Sequence, residues 1–159
     1  MPTLEEPYWE DADFIRFDSA MLQSKGFSLE SINSLSKKGL PEWAAPNINF
    51  DYYKPNNTHL KIGTDRNALT IYIRFDTMAV WLELDEIFIN SNPVCFREAL
   101  KLYAEMVDKA TLVDEDSFIN NDIPDELINI FKAELTIIDK KAMDKGSFWV
   151  KEIERLLSR

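Results

Sequence analysis

The feature that most constrains the fold is a junction where a strand-like run passes directly into a long amphipathic helix. Phe88 and Ile89 are apolar, Ser91 or Asn92 can cap a helix, and Pro93 suits the first helical position. Apolar residues then recur at helical spacing: Phe96, Leu100, Tyr103 and Val107. These residues form a face broad enough to lie on a sheet. The junction therefore predicts a β-sheet covered by a helix.

Two runs upstream of the junction predict an antiparallel hairpin. Residues 69–75 and 80–84 each alternate apolar and polar side chains. The apolar positions are Leu69, Ile71, Ile73 and Phe75 in the first run and Val80, Leu82 and Leu84 in the second. Trp81 falls between apolar positions, so we expect it on the opposite and more exposed face of the sheet.

Helix signals flank the predicted sheet. Ser28 starts a short helix that Gly39 ends, Pro124 opens another, and Ser147 precedes a last one. We predict an α+β fold with a central, mainly antiparallel β-sheet packed by helices. Residues 1–159 form a single domain, in which 1–26 are a loosely helical acidic N-terminal segment and 27–159 are the core.

The charge balance limits the class of partner. A formal net charge of −10 and a pI near 4.6 argue against direct binding of nucleic acid, which needs clustered Lys and Arg. The same charge repels anionic membranes and attracts basic proteins. One cysteine excludes an internal disulfide, and no apolar run has signal-peptide or membrane-span length. We expect a cytoplasmic protein.

The His, Cys, Ser and carboxylate side chains do not gather at catalytic or metal-ligand spacing. His59 is the only histidine and fits an exposed strand position, and Cys95 shares a helical stripe with core residues. The acidic run that begins at Asp114 does not match a calcium loop, which would need an oxygen ligand at Phe118, a glycine at Ile119 and a glutamate at Asp125. We expect no enzyme and no cofactor or metal. A hydrolase that uses Asp and Glu side chains with His59 is the weakest alternative.

Acidic residues are unevenly spread along the chain, which bears on partner binding. Residues 1–24 hold six acids and one base, residues 76–90 four acids and no base, and residues 98–122 seven acids and two bases. A solvated loop and a protein-binding patch both fit the run at 114–116. Trp9, Trp43 and Trp81 each fit either a contact residue or the core. The candidate partner-binding residues are Asp114, Glu115, Asp116, Glu83, Asp85, Glu86, Trp81 and Trp43.

Four segments in order resemble one protein family. Gly39-Leu40-Pro41 leads to Phe50, like a "GLP…F" entry into a sheet, and Leu60-Lys61-Ile62-Gly63 precedes the hairpin. Residues 88–103 resemble an "F-[IV]-N-S…F…L…Y" junction, and residues 138–149 a "D…A…FW" ending. From Phe27 onward the chain resembles the SUKH superfamily, and most closely its fourth subgroup of bacterial immunity proteins. It departs from the family at residues 77–79, where the customary hairpin glycine is absent.

This resemblance implies a function. Members of the family bind a cognate polymorphic toxin in the producing cell, often a nuclease or a nucleic-acid deaminase, and share no catalytic set. The expected partner is therefore a toxin protein with a basic surface, without direct contact to nucleic acid or membrane. The alternative is a non-enzymatic regulatory or scaffold module of the same fold.

Overall fold

The computed structural model describes residues 7–83, 86–117 and 122–158. The strands are β1 Phe14–Ile15, β2 Leu40–Pro41, β3 Trp43–Ala44, β4 Ile48–Phe50, β5 His59–Thr64, β6 Thr70–Arg74, β7 Val80–Leu82 and β8 Ile87–Asn90. The α-helices are α1 Ser19–Ser24, α2 Leu29–Ile32, α3 Pro93–Val113, α4 Asp125–Ile138 and α5 Phe148–Leu157. A π-helical segment, Asn33–Lys38, continues α2, and 3₁₀ turns cover Pro7–Trp9 and Lys140–Met143.

The sheet is an antiparallel meander packed by helices, which confirms the predicted α+β fold. Its strand order is β3-β4-β5-β6-β7-β8, and β1 and β2 form a separate antiparallel pair. The predicted hairpin is present, with Ile71 opposite Leu82 and Ile73 opposite Val80. These four side chains are buried. Leu84, the last apolar position of the pattern, lies outside the described residues.

Local chemistry explains why α3 begins where it does. The side-chain oxygen of Asn92 accepts a hydrogen bond from the backbone N–H of Cys95 at 2.9 Å, and Pro93 occupies the first turn. The predicted apolar stripe is buried at Phe96, Leu100 and Tyr103. The junction therefore lays α3 on the sheet as its residue pattern predicts.

The N-terminal residues differ from the expectation of a segment outside the core. Four of them pack into the main hydrophobic cluster: Trp9, Ile15, Phe17 and Leu22. Phe14 pairs with Pro41 as strand β1, where only a loose helix was predicted. The reason is tertiary, since a two-residue strand gains its hydrogen bonds and burial from a distant partner rather than from local periodicity.

A buried polar network joins β8 to the C-terminal helices. The Asp139 carboxylate accepts hydrogen bonds from Asn90 Nδ2 at 2.9 Å and from the N–H and hydroxyl of Ser91 at 2.8 and 2.7 Å. Trp149 Nε1 donates to Asn90 Oδ1 at 2.9 Å. Two of the segments that carry the family resemblance thus meet in one buried, hydrogen-bonded cluster.

A second network lies between α3 and α5. The Tyr103 hydroxyl donates to the carboxylate of Glu152, which also forms ion pairs with Arg66 at 2.9 Å and Arg155 at 2.6 Å. Burial, followed by the charge of Glu152, raises the pKa of Tyr103 well above its ordinary value. The two arginines compensate a buried charge that would otherwise be costly to remove from water.

Candidate partner-binding site

A concavity of about 580 Å³ opens between the N-terminal residues, strand β3 and the last turns of α3. Within the described part of the chain, every charged residue that lines it is acidic: Glu10, Asp11, Asp13, Glu42 and Asp108. No described lysine or arginine forms a salt bridge with any of these five. We call this concavity the acidic cleft. Because its carboxylates line one concavity and have no salt-bridge partner among the described residues, it favours a cationic ligand.

Trp43 is the most exposed aromatic side chain of the cleft wall. It lies on β3 opposite Asn49, with 47% of its surface exposed. Its indole Nε1 donates a hydrogen bond to Asn47 Oδ1 at 3.0 Å. Asn47 has a φ of 69°, a left-handed conformation that asparagine tolerates better than most residues. The turn therefore fixes an exposed indole ring before any partner arrives.

The indole of Trp9 forms the buried part of the wall. Tyr8 packs edge-on against it, with ring centroids 5.2 Å apart. The Arg97 guanidinium lies 5.2 Å from the Trp9 ring, and its Nε donates to the Gly39 carbonyl at 2.8 Å. Arg97 is itself buried, so its positive charge lies beneath the wall rather than along the open cleft. This cation–π contact anchors the N-terminal wall to α3.

Helix α3 supplies the opposite wall with one of its faces. Ala104, Val107, Asp108 and Thr111 recur at helical spacing and line the cleft. The Thr111 hydroxyl donates to the backbone carbonyl of Asp108 at 2.9 Å, so this hydroxyl does not bond to the Asp108 carboxylate. The C-terminal end of α3 carries partial negative charge from its backbone dipoles, and this adds to the potential of the carboxylates.

The acids predicted from the sequence do not share one concavity. Glu83 and Glu86 line a separate cleft of about 480 Å³, together with Tyr72 and Arg74. Asp114, Glu115 and Asp116 are exposed beyond the end of α3. Asp85 lies outside the described residues. Among the predicted residues that the structure describes, Trp43 is the one that lines the acidic cleft.

Trp81 lies on the outward face of the sheet, as the alternation predicted. It is directly opposite Tyr72 on β6 and Phe88 on β8, and its ring meets Phe88 edge-on at 5.4 Å. The pKa of Tyr72, which pairs with Trp81, is raised mainly by burial and further by the charge of Glu86. The charge of Arg74 lowers it. Half-buried and packed by its neighbours, Trp81 is less available to a partner than Trp43.

His59 and Cys95 occupy structural positions. The ring nitrogens of His59 bond to Thr58 Oγ1 at 3.0 Å and Asn56 Nδ2 at 3.2 Å. Burial, then Asp139, raises the pKa of the Cys95 thiol, which disfavours the reactive thiolate. Among the described residues, no three His, Cys, Asp or Glu side chains are grouped so that they could hold a metal ion.

Most residues that line the acidic cleft are not among those predicted from the sequence. The acidic excess in residues 1–24 was the one available signal, and three of those acids line the cleft. Nothing local links them to Glu42 or Asp108, because these residues meet only after β1 pairs with β2 and α3 packs beside them.

Comparison of the chain with protein-family models, curated proteins and solved structures finds no match in any of the three. Across the described ranges, no helix combines the length and apolar character required to cross a membrane.

Proposed function

We propose that this chain is an immunity protein that binds and neutralises a polymorphic toxin in the bacterial cytosol. The acidic cleft is its contact surface for a basic region of that toxin. The single observation that carries the proposal is an open cleft with only acidic charges among its described lining residues, beside a tryptophan held in place by a hydrogen bond.

The chemistry of the cleft fits a protein that acts on nucleic acid. Such a toxin needs lysine and arginine side chains along its substrate groove to bind phosphates. Carboxylates at the cleft can pair with the same side chains, so the immunity protein would compete with the substrate for them. The SUKH resemblance of the strand-to-helix junction and the C-terminal segment points to the same class of partner.

The physical expectations for such a complex are specific. A stable interface of ordinary size buries about 800 Å² on each partner. Opposite charges would raise the association rate above the roughly 10⁵–10⁶ M⁻¹s⁻¹ typical of uncharged pairs, and salt would reduce that gain. Tryptophan is one of the residue types enriched at the energetic centre of protein interfaces.

Co-expression with the neighbouring gene tests the proposed function. The neighbouring product should arrest growth alone, and co-expression should restore growth and yield a one-to-one complex on purification. A toxic neighbour that this protein neither rescues nor binds would contradict the proposal. A harmless neighbour without complex formation would also count against it, in favour of a regulatory module of the same fold.

A further inference from the structure

A second concavity, of about 350 Å³, lies where β7 and β8 approach the start of α5. Three lysines line it: Lys141, Lys145 and Lys151. Two carboxylates, Glu86 and Asp144, are also part of the lining. We call this concavity the lysine cleft. Its excess of positive charge stands out in a chain whose formal net charge is −10.

The three lysines have no ion-pair partner among the described residues. No described carboxylate forms a salt bridge with any of them. Arg66, Arg74 and Arg155, by contrast, each pair with an aspartate or glutamate. All three lysines are exposed, so their ammonium groups can reach an incoming anion.

Aromatic rings form the base of the lysine cleft. Trp81 and Phe88 both line it, and the Lys141 ammonium lies 5.1 Å from the Phe88 ring centroid. The Trp81 indole nitrogen is buried and has no hydrogen-bond acceptor within the described residues. Buried donors are normally paired, so this nitrogen is an exception. Because the nitrogen itself is buried, the half-exposed ring is the part of Trp81 that a bound residue can cover.

The start of α5 adds to the positive potential. Gly146 and Ser147 line the cleft directly before the first residue of that helix. The Ser147 hydroxyl accepts a bond from the Val150 N–H at 3.4 Å and donates to the Ala142 carbonyl at 2.6 Å. The cap is thus held in place, and the positive end of the helix dipole lies beside the lysines.

We propose that the lysine cleft docks an acidic segment of a protein partner. Carboxylates of that segment would contact the lysines, and an apolar residue would cover Trp81 and Phe88. A protein segment fits better than nucleic acid because the field of a chain with net charge −10 repels a polyanion along its whole length. A few carboxylates on an otherwise neutral or basic protein do not suffer that repulsion.

Amide and indole NMR spectra of the full chain, titrated with a hexaglutamate peptide at low ionic strength, test this site. We expect shifts at residues 141–151 and at the Trp81 indole N–H, whose resonance is assigned with Trp81→Phe. Replacement of Lys141, Lys145 and Lys151 by glutamine should weaken binding by about tenfold. A matched variant with glutamine at Lys37, Lys38 and Lys132 carries the same net charge and should bind like the parent.

Three outcomes would overturn the proposal. The first is the absence of shifts at the cleft with millimolar peptide. The second is equal weakening in both triple variants, which would assign binding to net charge rather than to the site. The third is tighter binding of hexathymidylate than of hexaglutamate at the same residues, which would make the ligand a nucleic acid. Unchanged amide positions elsewhere in the spectra establish that each variant is folded.

Discussion

The same side-chain pair, a tryptophan that donates its indole N–H to an asparagine, occurs in two opposite settings in this protein. Trp149 bonds to Asn90 at 2.9 Å and is fully buried. Trp43 bonds to Asn47 at 3.0 Å, and nearly half of its surface is exposed. One bond therefore secures the core, whereas the other orients an aromatic ring toward solvent.

The surroundings of the two pairs explain the difference in role. Around Trp149, each polar atom of the network has a partner, since Asp139 accepts from both Asn90 and Ser91. Around Trp43, the carboxylates of the acidic cleft have no salt-bridge partners among the described residues. A satisfied network contributes to stability, while an unpaired acidic surface retains charge for an external ligand.

The largest expected effect is the loss of stability on removing the buried indole. Trp149→Ala leaves a cavity and an unpaired Asn90 Oδ1, so we expect a loss of about 3–5 kcal/mol in the free energy of unfolding. Urea denaturation followed by circular dichroism measures this. A loss below about 1 kcal/mol, roughly that of a surface substitution, would show that the Trp149–Asn90 pair does not stabilise the core more than an exposed pair does.

Trp43→Ala should produce the opposite result. Stability should change by less than about 1 kcal/mol because the side chain is already largely exposed. Affinity for the toxin should fall by at least about 2 kcal/mol, roughly thirtyfold, if Trp43 lies at the centre of the interface. Calorimetric titration of each variant with the purified toxin measures this affinity. Unchanged affinity would remove Trp43 from the contact surface.

The buried region should also respond to alkaline pH through Tyr103. Its pKa is raised in the folded state by burial and Glu152. The resulting stabilisation is fully present below the unfolded-state pKa of about 10 and is lost as pH rises through the folded pKa. Unfolding free energies from pH 7 to 11 should fall more steeply for the parent than for Tyr103→Phe. Parallel curves would contradict this assignment.

Asn47→Gly gives the smallest effect and isolates the orienting bond. Glycine accepts the positive φ without strain but removes the acceptor for the Trp43 indole. Affinity for the toxin should fall severalfold, by about 1 kcal/mol, because the ring must then be ordered on binding. Asn67→Gly, an exposed position outside the cleft, serves as the control. Equal losses in the two variants would argue against preorganisation.

Local signals in the sequence were sufficient for much of the fold. Pro93, preceded by Ser91 or Asn92 as a cap, predicted the start of α3, and strict alternation predicted both the hairpin and the outward face of Trp81. Signals of this kind fail where contacts are distant in sequence. Strand β1 and the approach of Glu42 to Asp108 depend on tertiary packing, so neither the N-terminal part of the core nor the acidic cleft was predicted.

The most direct test of the central claim compares association rates of two charge-matched variants with the toxin. One replaces Asp11, Glu42 and Asp108 of the acidic cleft by their amides, and the other replaces the exposed Glu126, Glu134 and Glu154 by glutamine. Each carries three fewer negative charges, so any effect of net charge is shared. We predict that the cleft variant associates about tenfold more slowly at low salt, with a flatter salt dependence, while the control stays close to the parent. Equal rates for the two variants would contradict the assignment of the acidic cleft as the partner-binding surface.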